Sequence, residues 1–281
     1  DSFVNAFTFF GQQIDPQRLN IILPVGISFY TFQTLSYSID VYKKKLEPTR
    51  DVIAFFAFVS FFPQLVAGPI ERASNLLPQF FARRAFTYSL FSKGVKLIIW
   101  GFFLKIVVAD RAALYVNMVY NNIELHKGWS LLLATLFFAF QIYGDFAGYS
   151  LIAIGTAKLF GFDLMTNFRR PYFSSSISEF WTRWHISLST WFRDYLYIAL
   201  GGNRVSKPRW LANLFITFVV SGLWHGANWT FVIWGALNGL YLIFEVLFVK
   251  SQSKNLLRIF STFALTNLAW IFFRANTVTD A

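Results

Sequence analysis

Two histidines and one aspartate stand where an apolar chain should not tolerate them. His225 lies in Ser221-Gly222-Leu223-Trp224-His225-Gly226-Ala227-Asn228, within the run Leu211–Phe244, which holds no Asp, Glu, Lys or Arg. Ionisable residues inside membrane segments are costly and usually mark a site or a pathway. A neutral imidazole there can accept a proton, which is what a general base acting on a hydroxyl needs. The other possibility is a core histidine bonded to a neighbouring carbonyl. His185 precedes Ser189 and Arg193 at steps of four, so the three share one side of a helix as a polar wall, or as a solvated row. Asp145 interrupts the apolar run Trp129–Phe160, with Gln141 and Tyr149 on its face. It is either a partner for an imidazole or substrate hydroxyl, or one half of a structural ion pair with a buried Lys or Arg, the reading that base rates favour.

Composition excludes much else. Of 281 residues, 56% are apolar and only 14% charged, with 36 Phe, 12 Tyr and 10 Trp. A soluble domain carries roughly 25% charged residues, so the apolar side chains must face lipid and the chain is an integral membrane protein. No cysteine is present, which removes disulfides, thiolate metal sites and a Cys nucleophile. Three histidines in all argue against a His-rich zinc site, and no bound metal or cofactor is expected. The net charge of +11 falls mostly between apolar runs, where basic residues act as topology determinants at an anionic bilayer rather than as a nucleic-acid surface. There is no P-loop, no GxGxxG and no G-x-S-x-G.

The elements that must position these residues are helices. Spans of about 20 apolar residues are expected at Leu19–Tyr37, Val52–Ile70, Gly94–Val108, Trp129–Phe160, Leu211–Phe244 and Leu256–Phe273. Pro63, Gly68 and Pro69 should break the second or make it re-entrant, and Lys96 and Lys105 should snorkel from the ends of the third. Trp129–Phe160 is long enough for one tilted span or two short ones. Leu211–Phe244 should be two helices turning near Gly226–Trp229, so six to eight membrane segments are expected in all. Gly235-Ala236-Leu237-Asn238-Gly239 is a helix-packing GxxxG. Between Gly161 and Trp210 the chain becomes polar. There Trp181, Trp184, Leu188, Trp191 and Tyr195 follow steps of 3, 4, 3 and 4, the stripe of one interfacial or re-entrant helix, with Glu179 and Arg183 spaced to pair. His126, beside Lys127 in a loop, reads as solvated. The chain starts at Asp1 and reads as an internal piece of a longer protein, with residues 1–281 forming a single membrane-embedded domain.

The run Glu179-Phe180-Trp181-Thr182-Arg183-Trp184-His185-Ile186-Ser187-Leu188-Ser189-Thr190-Trp191-Phe192-Arg193-Asp194-Tyr195, continuing into Leu200-Gly201-Gly202-Asn203-Arg204, resembles a signature of the membrane-bound O-acyltransferase family. Gly222-Leu223-Trp224-His225-Gly226-Ala227-Asn228-Trp229 resembles that family's second block. Pro24–Tyr30, Ala67–Ile70 and Trp270–Ala275 match in order. The resemblance is strongest to the members that acetylate alginate, other polysaccharides and peptidoglycan.

This resemblance implies an all-α, multi-helix membrane bundle with re-entrant and interfacial helices around a polar tunnel, in the bacterial inner membrane. It implies transfer of an acyl group, most plainly acetyl, from a cytoplasmic thioester such as acetyl-CoA to a hydroxyl. The implied partners are a polysaccharide acceptor and an extracytoplasmic SGNH-hydrolase-like acetyltransferase. His225 would be the general base and His185 would line the tunnel. Trp224 and Asn228 would hold His225, Asn228 lying one helical turn on, and Arg193 and Asp145 would contact substrate. One departure stands out, because Leu151 occupies a position where relatives usually carry a second acid. The rivals are a proton-relay transporter, which inverted repeats would favour, and a scaffold for envelope synthesis. Neither accounts for two ordered histidine blocks.

Overall fold

The computed structural model describes residues 26–249 and 254–281. The start of the expected first span and Pro24-Val25 lie outside the described residues. Every regular element among the described residues is helical, and the α-helices are α1 Ile27–Tyr42, α2 Val52–Val59, α3 Ala73–Leu76, α4 Tyr88–Phe102, α5 Asp110–Tyr120, α6 Trp129–Leu159, α7 Ile177–Arg183, α8 Ile186–Phe192, α9 Lys207–His225, α10 Trp229–Phe248 and α11 Leu256–Arg274.

Local chemistry sets many of these boundaries. Asp51 and Ser176 accept from backbone N–H groups in the first turns of α2 and α7, as do Asn228 for α10 and Asn255 for α11, each satisfying a donor the helix cannot. Pro208 near the start of α9 uses a position where the missing N–H costs nothing. α2 stops at Val59, ahead of Pro63, and the chain then turns irregularly to Arg72, as the prolines and glycine in that stretch require. Trp129–Phe160 is one helix of 31 residues, about 46 Å long. The charge-free run splits into α9 and α10 around Gly226–Asn228, as expected.

One expectation needs correction. The third apolar run is the middle of a longer one, because α4 passes through a π-helical stretch, Phe103–Ala109, straight into α5. Lys105 in that stretch does not simply reach outward. Its Nζ lies 2.8 Å from Asp110 and 2.6 Å from Asp145. Among the described residues, three helices are long and apolar enough to cross a bilayer: α6, α10 and α11.

Lipid tails are as apolar as leucine, so burial alone does not drive helices together in a bilayer, and close backbone approach does more of the work. α4 and α6 meet at two glycine pairs. A Cβ on Gly94 would sit 2.8 Å from the Gly155 carbonyl oxygen, and one on Gly101 2.6 Å from that of Gly148. Both pairs are seven residues apart, and the antiparallel register makes them face each other. The α9–α10 pair repeats the device, with Gly222 against the Phe231 carbonyl and Gly235 of the expected GxxxG against that of Phe218. Against this frame α7, α10 and α11 assemble a buried aromatic core of Phe180, Trp184, Trp234 and Trp270.

Gly155→Val should force α4 from α6 and lower the melting temperature in detergent well beyond the lipid-facing Leu132→Val, by about 1–3 kcal/mol of stability. Equal melting curves would mean the two helices do not touch at Gly94 and Gly155.

Candidate active site

The segment read as a single helix from Glu179 to Tyr195 is two, because the chain breaks at Trp184–His185. His185 adopts φ 44° and ψ 53°, the left-handed region that costs a non-glycine residue roughly 1–2 kcal/mol. The periodicity survives because α7 and α8 each keep part of the stripe, so spacing alone does not reveal the turn. Ser189 N–H still donates to the His185 carbonyl at 2.9 Å, and His185, Ser189 and Arg193 face the same cavity. Downstream, α8 widens into a π-helical turn at Arg193–Tyr197.

The loop between α6 and α7 repairs the break. Arg169 N–H donates to the Arg183 carbonyl and Ile186 N–H to the Asn167 carbonyl, both at 2.9 Å. The Ser189 hydroxyl donates to the Trp184 carbonyl at 3.1 Å. Asn167, fully buried, also uses its side chain: Oδ1 lies 3.2 Å from Ser187 N, 2.9 Å from Ser187 Oγ and 3.1 Å from His185 Nδ1. Sequence reasoning missed Asn167. It sits in a non-periodic loop 18 positions before His185, and only the fold brings them together.

A cavity of about 970 Å³, lined mainly by apolar side chains, contains both histidines. One face of α9 lines it from Trp210 through Leu214, Thr217 and Ser221 to Trp224 and His225, about 22 Å of helix. Its volume suits a small-molecule pocket. At the far end stands Glu245 of α10. Its carboxylate accepts from Ile177 N–H and Ser178 N–H at 2.8 and 3.2 Å, placing negative charge at the N-terminus of α7 where it is favourable.

His225, the last residue of α9, is held by rings. Trp234 meets it edge to face at 5.1 Å and 89°, Phe273 at 5.3 Å and 76°, and Trp224 at 4.8 Å and 63°. Trp234 stacks on Trp270, which contacts Trp184, the neighbour of His185. A continuous aromatic wall therefore joins the two histidine segments.

The remaining expected residues divide. Trp224, Arg193 and Asp145 line the cavity. Arg193 pairs with Asp194 at 2.8 Å. Asp145 has the ion-pair partner that the bland reading anticipated, Lys105, although both side chains stay about half exposed. Asn228 does not hold His225: the helix ends at His225, and Asn228 instead accepts from Thr230 N–H and donates to the Asn276 carbonyl. Glu179 and Arg183 pair at 2.6 Å as their spacing suggested. Leu151 faces a second cavity of about 790 Å³, whose rim carries Arg169, Arg170 and Arg183. Among the described residues no group of three or more His, Asp or Glu side chains could hold a metal ion.

A bundle of membrane helices enclosing two histidines, one from each of two ordered blocks, defines a class. The sequence model of the membrane-bound O-acyltransferase family matches residues 45–275, and the chain belongs to that family. It is 45% identical over 284 aligned positions to a probable alginate O-acetylase of Pseudomonas aeruginosa, covering 99% of this chain and 54% of that protein. It is 36% identical to a peptidoglycan O-acetyltransferase of Helicobacter pylori, covering 94% of the chain and 56% of that protein. A teichoic acid D-alanyltransferase of Bacillus subtilis is 28% identical over 84% of the chain and 62% of its own length. The chain thus spans about half the length of the curated relatives it matches.

His185→Gly should be more stable than His185→Ala by about 1 kcal/mol, because glycine takes left-handed backbone without penalty. Thermal melts of the two variants compare them directly, and a more stable alanine variant would contradict the left-handed turn.

Proposed function

We propose that this chain forms the catalytic part of an O-acyltransferase that moves an acyl group, acetyl in the simplest case, from a cytoplasmic thioester such as acetyl-CoA towards an extracytoplasmic hydroxyl. The observation that carries the reading is the shared cavity: two histidines, from blocks 40 residues apart in sequence, line one mostly apolar chamber that follows α9 for most of a bilayer's thickness.

The chemistry is a thioester-to-ester exchange. A neutral imidazole takes the proton of the attacking hydroxyl as its oxygen bonds to the acyl carbon, the carbon–sulfur bond breaks, and the proton passes to the departing thiolate. His225 is the base in this reading. Among the described residues its ring is oriented by packing against other rings, which leaves both nitrogens available to exchange a proton with substrates. His185 holds a substrate atom in line, while Trp224, Arg193 and Asp145 shape the donor and acceptor ends. Asn228 contributes by closing the α9–α10 turn beside His225. The apolar lining excludes bulk water, which would otherwise hydrolyse the thioester.

The relatives' names, an alginate O-acetylase and a peptidoglycan O-acetyltransferase, support a polysaccharide acceptor. In this reading the partner is an extracytoplasmic SGNH-hydrolase-like acetyltransferase and the location is the bacterial inner membrane.

The test uses the full-length protein in vesicles, with labelled acetyl-CoA outside and the acceptor polysaccharide or partner protein inside. Wild type should transfer label, and His225→Ala at matched expression should lower the rate 10²- to 10⁴-fold, the usual contribution of a positioned base. Equal transfer by both would remove His225 from the chemistry. Solute flux without acyl transfer would replace the reading by a transporter.

A further inference from the structure

We infer that Asn167 is a positioning residue that fixes His185 in the tautomer carrying hydrogen on Nδ1, so that Nε2 presents a bare lone pair to the cavity. The role in acyl transfer rests on the function proposed above; the tautomer itself does not.

The donors around Asn167 decide the tautomer. The backbone N–H of Ser187 can only donate, and it points at the Asn167 side-chain atom 3.2 Å away. That atom must therefore be the amide oxygen, and the alternative amide orientation would set two donors against each other. The amide nitrogen then donates to Ser150 Oγ at 3.1 Å, leaving the Ser150 hydroxyl as acceptor. His185 Nδ1 lies 3.1 Å from the same oxygen. Two lone pairs facing at that distance repel, so Nδ1 carries the hydrogen. In the neutral ring Nε2 is then the acceptor.

The surroundings keep this arrangement in place. Asn167 and Ser187 are fully buried and His185 is 4% exposed, so no bulk water competes for the amide. Phe146 meets the imidazole edge to face at 4.5 Å and Phe168 lies parallel to it at 6.5 Å. Nε2 makes no hydrogen bond within the described protein, and His185 contributes to the cavity wall. Asn167 also holds the left-handed turn through its own carbonyl, so one residue sets the backbone, the ring orientation and the tautomer together. Among the described residues His225 has no such anchor. The cavity thus holds one histidine with a preset acceptor and another free to change its tautomer during a proton transfer. A substrate hydroxyl or thiol directed at His185 would meet a lone pair without any prior proton rearrangement.

The decisive measurement is nitrogen-15 magnetic resonance of histidine-labelled full-length protein in lipid, with the His185 signals assigned by their loss in His185→Asn. Protonated and bare ring nitrogens resonate far apart, so the tautomer is read directly. Wild type should show Nδ1–H with bare Nε2. Asn167→Asp keeps an acceptor for Nδ1–H and for Ser187, and should retain both that signature and acyl transfer. Asn167→Ala should release the tautomer and lower kcat on the order of 10²-fold with little change in KM. A wild-type His185 protonated on Nε2, or a His185 signature unchanged in Asn167→Ala, overturns the proposal. Should the alanine variant fail to fold, the wild-type and aspartate spectra still decide. The expected tautomer in a wild type that transfers no acyl group would sink the functional reading and leave the positioning role standing.

Discussion

Everything near the cavity depends on a gap in helical hydrogen bonding. Between α7 and α8 the chain gives up its i→i−4 pattern for one left-handed residue, and in an apolar setting each freed backbone group needs a partner from the protein itself. The partners come from Asn167, Arg169 and Ser189. Because the break is repaired from outside the helix, the α6–α7 loop cannot move independently of the His185 turn. Trp184 joins the aromatic core and, like His185, lines the cavity, so two consecutive residues at the turn contribute to one wall.

The second histidine is placed by a different principle. His225 ends a helix whose terminus is fixed by the α9–α10 glycine contact and by the cap that Asn228 gives to α10. Its ring is wedged among Trp224, Trp234 and Phe273. Ring packing sets position while leaving the tautomer open; a hydrogen bond to the Asn167 amide oxygen sets both. The cavity thus joins two differently held imidazoles, and the Trp184–Trp270–Trp234 wall keeps their segments in register.

Much of this was legible from residue order. The charge-free run with Gly226 near its centre announced α9 and α10, Pro63 and Gly68 announced the irregular stretch after α2, and His225 announced itself by its apolar surroundings. The resemblance of the two blocks carried the family. Other features were hidden for physical reasons. A left-handed residue at 185 leaves the 3–4 spacing intact, so periodicity continued across a real break. Asn167 is one polar residue in a loop, and its meaning lies in contacts made 17 to 20 positions away. Asn228 would lie one turn beyond His225 only in a continuous helix, and the helix ends at His225. The glycines of α4 and α6 did carry a signal, a spacing of seven on each helix, that becomes readable only once the two are known to be antiparallel neighbours.

Those glycine pairs have a thermodynamic consequence. Where α4 and α6 touch there is little side chain to remove from water, and in a bilayer no water to remove it from. The cohesion comes from dispersion and from backbone carbonyls against Cα atoms. Such forces lack the solvent-entropy component that gives soluble cores their large heat-capacity change and weakens them on cooling. Separation of these helices should therefore show a nearly temperature-independent enthalpy, and the scaffold around the two histidines should hold as firmly in the cold as in the warmth.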